Sequence, residues 1–226
     1  VVEPGDAGPA TTRDKLLDAA AEVLRTEGLS SLSARSVAAR AGVNQALVFY
    51  HFGSVAELVE TALRRSADLA VATYRNRFDD VASFTELLVL GRELHAAERD
   101  RGNVAQMAQV MSGALADDTL ARAGRYALEQ WTRQIETVLG RLLADSPLRG
   151  LVEPAGLARA VGASFLGLEL YEGVDPDGAA SAMGALESLG NVLEMVDGLG
   201  PVGSRAVRSQ VRKAGRTTAP AKRTRS

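Results

Sequence analysis

The side chains with the most specific chemistry lie in one stretch, Ser33 to Ser54, which reads SARSVAARAGVNQALVFYHFGS. Amide, phenol and imidazole groups (Asn44, Gln45, Tyr50 and His51) fall within eight residues, with the rings of Phe49 and Phe52 beside them. A glycine break at Ala41-Gly42-Val43 splits the stretch into two short segments, and Gly53-Ser54 ends it. Two short helices joined by a glycine turn make a helix-turn-helix, whose second helix is shaped for a DNA major groove. Other chemistries lack their residues. The chain has no cysteine, which excludes disulfides, thiolate zinc sites and cysteine nucleophiles. His51 and His95 are the only histidines and form no His-x-x-x-His pattern, so neither a metal site nor a cofactor is expected. No nucleophile–base pairing or phosphate loop is visible, and the chain does not read as an enzyme.

The elements around this stretch follow from apolar spacing and capping residues. A first helix is expected from Thr11 or Thr12, with Asp14 in its first turn and Gly28 ending it. Ser33 caps a second helix, and Asn44 caps a third over about Gln45 to His51. Within the third, Val48 and Phe52 should point inward. Ser54, with Glu57 three residues on, opens a long fourth helix to about Phe78. Ser83-x-x-Glu86 opens a fifth, and four more follow: one near 103–115, a long one preceded by Asp117 and Asp118 and running to about 144, and two near 155–171 and 178–196. No stretch alternates as a strand does, so the fold class is all-α, with about nine helices. The organisation expected is an arm over 1–10, a head over 11–54, a connecting helix over 55–78, a helical body over 79–199 and a disordered basic tail over 200–226.

Composition sets wider limits. Of 226 residues, 46% are apolar, enough for a sizeable core. No apolar run approaches the ~18–20 residues that cross a bilayer, and no signal-peptide core precedes the first helix, so a cytoplasmic protein is expected. A net charge of −2 conceals an uneven distribution. Ser204 to Ser226 holds eight of the 26 basic residues and none of the 28 acidic ones. The tail is therefore +8 and the remainder −10.

The string Ala41-Gly42-Val43, then Leu47-Val48-Phe49-Tyr50-His51-Phe52, then Ser54, Glu57 and Leu58, resembles the DNA-binding head of the TetR family of transcriptional regulators. The resemblance is close over about Thr12 to Leu63 and only architectural beyond. It implies DNA-facing positions at Ser33, Arg35, Asn44, Gln45, Ala46, Leu47, Phe49, Tyr50 and His51. Gln45 suits an adenine edge, Phe49 a thymine methyl, and Tyr50 and His51 phosphates. Three departures reduce the polar contacts. Leu47 stands where the family often has Thr, Phe49 where it often has Tyr, and Val55 where it often has Lys.

The resemblance also implies a homodimer, a palindromic duplex operator and a small apolar effector held in the body, with repression the expected activity. Met107, Met111, Tyr126, Trp131, Phe165 and Glu169 are candidates to line an effector pocket, with plain core packing the alternative. Small residues such as Gly162, Gly167, Ala185 and Gly190 suit the eighth and ninth helices to a four-helix dimer interface. An effector-independent architectural DNA binder using the basic tail is the competing function.

Overall fold

The computed structural model describes residues 11–217, of which 201 and 211–217 are described by backbone alone. Among them are ten α-helices and no strand. They are α1 (Thr12–Glu27), α2 (Ala34–Ala41), α3 (Ala46–Phe52), α4 (Val55–Asp80), α5 (Phe84–Asp100), α6 (Asn103–Gly113), α7 (Asp118–Ala144), α8 (Pro154–Glu172), α9 (Pro176–Asp197) and α10 (Pro201–Thr217). The expected all-α class and nine helices are present, and α10 is the addition. No single helix among the described residues is long and apolar enough to cross a membrane.

The helices begin where side chains can satisfy their free N–H groups. Thr11 and Asp14 form a reciprocal capping box on α1, and Ser54 Oγ accepts from Glu57 N at 3.1 Å to open α4. At α5, Ser83 Oγ accepts from Glu86 N at 3.1 Å, while the Glu86 carboxylate reaches back to Ala82 N at 2.7 Å. Asp117 takes the N–H groups of Thr119 and Leu120 at the start of α7.

The chain forms two compact units. The first holds the chain up to Tyr74 with His95–Trp131, and the second holds Arg75–Leu94 with the chain from Thr132 on. In the first, Leu16, Leu17 and Ala20 of α1, Val37 and Ala38 of α2, Val48 and Phe52 of α3, and Leu58 and Ala62 of α4 form the core of the head. A second cluster joins Leu24, Val59 and Leu63 to Val110 of α6 and to Leu120 and Ala123 of α7. Beside it Glu60, 8% exposed, accepts from Arg122 Nε at 2.9 Å and pairs with Arg64 at 2.7 Å. Two cations satisfy a carboxylate that burial would otherwise penalise heavily.

In the second unit Arg141 donates to the carbonyls of Phe78, Asp79 and Val81 at 2.9–3.1 Å, where the end of α4 leaves acceptors without helical partners. The α9 helix lies on α5: Arg92 pairs with Glu187 at 2.7 Å, and Thr85 N donates to Glu194 at 3.0 Å. Gly91 of α5 lets α8 approach, since a Cβ there would stand 2.3 Å from the Phe165 ring.

One expectation is corrected. The segment from 201 to 217 is helix α10, where its shortage of apolar residues suggested a disordered tail. Its Arg, Ala, Gln and Lys residues are adequate helix formers, and the tie to the body is polar. Arg208 Nε donates to Pro147 O at 2.9 Å. The expected arm over 1–10 and the tail's last residues, 218–226, lie outside the described residues.

In the first unit the break between α5 and α6 is held by Glu98, whose side chain is 13% exposed. Tyr74 Oη donates to it at 2.7 Å, Asn103 Nδ2 at 2.6 Å, and Arg101 adds a third bond. Burial opposes its ionisation, yet the three donors outweigh burial and hold the carboxyl below its ordinary range. Such a group contributes stability above its unfolded pKa and loses it as pH falls through the folded value. Glu98→Ala is expected to lower the unfolding free energy by about 1–3 kcal/mol near neutrality. The deficit should narrow as pH falls below about 4.3, the ordinary Glu value. Urea titrations of both proteins across that range check it.

Candidate nucleic-acid interface

The head positions α3 through a turn that only glycine makes easily. Gly42 (φ 67°) closes α2 in the left-handed region. Val43 N then donates to Ala38 O at 3.0 Å and Gly42 N to Ala39 O at 3.3 Å, the paired bonds of a Schellman motif. Asn44 Oδ1 accepts from Ala46 N at 2.8 Å and opens α3, and Gly53 (φ 73°) closes it. At the start of α2, Ser33 Oγ accepts from Ser36 N at 3.1 Å, while Ser36 Oγ accepts from Ser33 N at 3.0 Å.

Helix α3 has seven residues and two faces. Val48 and Phe52, four apart, are buried in the head core. Gln45, Ala46, Phe49 and Tyr50 are exposed, Phe49 to 49% and Tyr50 to 80%. Leu47 is half-buried against the head core, and His51 is half-buried with its ring edge-on to Tyr50 at 5.0 Å. Ser33 and Arg35 are exposed in the first turn of α2. The arrangement presents an amide, a phenol and an apolar ring to solvent from one short helix. Those groups suit base edges and phosphates.

One head cation is held by two acids of the head itself. Arg40 pairs with Glu22 at 2.7 Å and also with Glu27, tying α2 to α1. Arg13 was not singled out in the sequence, yet its guanidinium lies 5.1 Å from the centre of the Phe52 ring, beside the end of α3. Only the fold brings the start of α1 to that ring. Ser36 escaped notice because a serine, rather than Glu or Gln, completes the capping box.

The six pocket candidates are divided between the two units. Met107, Met111, Tyr126 and Trp131 belong to the first unit, and Phe165 and Glu169 to the second. A Cβ on Gly124 would stand 2.5 Å from the Met111 methyl, so that side chain fills the approach of α6 to α7. Tyr126 Oη donates to Asp68 at 2.8 Å, and the Trp131 ring lies 6.1 Å from that of Tyr74. Phe165 covers Gly91, and Glu169 is half-buried. Among the described residues no group of three His, Cys, Asp or Glu could hold a metal.

An all-α fold with α2, the Gly42 turn and α3 near its start defines a helix-turn-helix protein. Residues 16–62, the head, match the model for bacterial regulatory proteins of the tetR family. The HTH-type transcriptional repressor KstR2 of Mycolicibacterium smegmatis is 34% identical over 80 residues, which are 35% of this chain and 39% of that protein. The chain thus matches about two fifths of that relative's length. The fold extends further. A transcriptional regulator from Rhodococcus sp. Rha1 superposes with a TM-score of 0.64 at 24% identity, over 84% of this chain and 100% of that one. The multidrug binding protein EbrR, complexed with imidazole, does so with a TM-score of 0.57 at 24% identity, over 79% and 96%. None of these proteins is named as an enzyme.

The two faces of α3 are separable by mutation. Phe52→Ala should destabilise the protein by about 3–5 kcal/mol, the usual loss for a buried ring. Phe49→Ala, at an exposed position, should stay within about 0.5 kcal/mol. Chemical denaturation of the two variants checks the assignment, and equal losses would show that α3 is rotated from the orientation described.

Proposed function

We propose that the chain is a homodimeric transcriptional repressor that binds a palindromic duplex operator through α3 and leaves it when a small apolar effector fills its body. The division of α3 carries the DNA-binding part. Buried Val48 and Phe52 fix the helix, which leaves Gln45, Ala46, Phe49 and Tyr50 free to meet a major groove. Gln45 reads base edges by hydrogen bonds and Phe49 by apolar contact. Tyr50, His51, Ser33, Arg35 and the start of α2 serve phosphates. Asn44 shapes the start of α3, and Leu47 supports it from the core side.

The second unit supports the dimer. Glu187 and Glu194 of α9 are engaged with α5, through Arg92 and Thr85. Ala163, Gly167 and Leu170 of α8 and Gly184, Leu189 and Val192 of α9 are exposed and uncharged. Small residues permit close helix approach, and pairing α8 and α9 with a second copy would bury the larger ones. The effector part is supported by EbrR, a structural relative named as a multidrug binding protein. Coupling between effector and operator would be worth ~1–3 kcal/mol, typical for such linkage.

Selection of bound sites from random duplexes, followed by footprinting, tests the proposal and should return a palindrome. Gln45→Ala should alter preference at one base pair per half-site by about 1–3 kcal/mol, whereas Tyr50→Ala should weaken all sites alike. Absence of any palindromic footprint would overturn it. A second measurement addresses assembly. Gly184→Arg places a cation in the uncharged face and should convert a dimer to a monomer in sedimentation equilibrium.

A further inference from the structure

The chain between α1 and α2 is held by a side chain from outside the helix-turn-helix. Residues Leu29–Ser31 form one tight helical turn. Its first N–H, at Leu29, has no acceptor within the turn, as at any helix start. Gln109 of α6, 80 residues away, supplies one: Leu29 N donates to Gln109 Oε1 at 2.8 Å. The amide oxygen comes in beside Gly28, where a Cβ would stand 3.1 Å from it. The Leu29 side chain packs on the cluster that holds Val110 of α6 and Leu120 of α7. The turn is thus fixed to α6 by its backbone and to that cluster by its side chain.

From the turn the ties continue into α2. Ser36 Oγ donates to Ser31 O at 2.7 Å. The same hydroxyl accepts from Ser33 N at 3.0 Å, and Ser33 Oγ accepts from Ser36 N at 3.1 Å. Leu32, between the turn and the cap, packs on both buried clusters of the unit. The same short stretch carries Ser33 and Arg35, both exposed.

We propose that Gln109 is a positioning residue for the start of α2, the part of the head that presents Ser33 and Arg35. Its bearing on DNA rests on the proposed operator binding. Helix α2 has eight residues, too few to hold its own place in water. Arg40 ties its far end to α1. Its near end takes its place from the turn, and the turn's first N–H is placed by Gln109. Gln109 belongs to none of the DNA-facing positions and acts on them through the backbone. Its side chain is exposed, so truncating it removes the bond without opening a core cavity. Water can then replace the lost acceptor, which leaves the protein folded and the turn loose.

The test uses the full chain with Gln109→Ala and Gln109→Glu, the second of which keeps an acceptor oxygen at the same reach. Amide exchange is followed residue by residue by NMR, without DNA. In Gln109→Ala the Leu29 amide should exchange about 3- to 10-fold faster than in the parent, the range for loss of one hydrogen bond. The Ser33 and Ser36 amides should follow by at least about twofold. Gln109→Glu should stay within about twofold of the parent at all three. Thermal midpoints of both variants should lie within about 3 °C of the parent, as for other surface substitutions. On a palindrome selected from random duplexes, Gln109→Ala should bind about 3- to 10-fold more weakly with base preference unaltered, and Gln109→Glu should recover most of the loss. Parent-like exchange at Leu29 in Gln109→Ala would overturn the proposal. So would faster exchange at Leu29 with Ser33 and Ser36 unchanged, full operator affinity in Gln109→Ala, or equal losses in the two variants. If no palindrome is recovered, the operator reading fails by itself, and the three amides still decide whether Gln109 positions α2.

Discussion

A helix of seven residues has too few internal hydrogen bonds to persist in water, so α3 exists only because the head core holds it. Two side chains do this, Val48 and Phe52, one turn apart and both buried. Everything exposed on α3 takes its direction from them, because on a helix a residue's face is fixed once its neighbours three and four positions away are placed. The turn at Gly42 sets where α3 starts, and the glycine at 53 sets where it stops. The result is a fixed backbone that displays few groups, a suitable basis for recognition because little backbone freedom remains to be lost on contact.

Polar side chains in the first unit work mostly on the unit itself. Glu60 between Arg64 and Arg122, Arg40 between Glu22 and Glu27, and Glu98 among Tyr74, Arg101 and Asn103 each join separate helical segments. The exposed pairs contribute little to stability one by one. The Glu60 pairs differ, because removing one partner would leave charge in a place that water reaches poorly.

Much of this was legible in the sequence, and the limits have physical causes. Val48 and Phe52 could be assigned inward because glycine turns bracket a spacing of four, a local signal. The capping residues Ser33, Ser54, Ser83 and Asp117 announced their helices for the same reason. The helix at 201–217 was not legible, since its anchor is a hydrogen bond from Arg208 to a carbonyl 61 residues away. Arg13 against Phe52 and Arg40 against the acids of α1 are likewise products of tertiary placement. Apolar periodicity also cannot separate a ring that lines a pocket from one that fills a gap. Phe165 and Met111 both lie against the backbone of a glycine on a neighbouring helix.

The contact between Phe165 and Gly91 constrains how this sequence can change over time. A residue of any other type at 91 would place its Cβ inside the ring, so position 91 is closed to substitution while 165 stays aromatic. Shrinking 165 first would open a void of ring size on α5, itself a costly intermediate. Neither change is readily tolerated without the other. The two positions should therefore be inherited as a pair, with glycine and a ring together or a larger residue and a small one. That couples α5 to α8 in descent as well as in space.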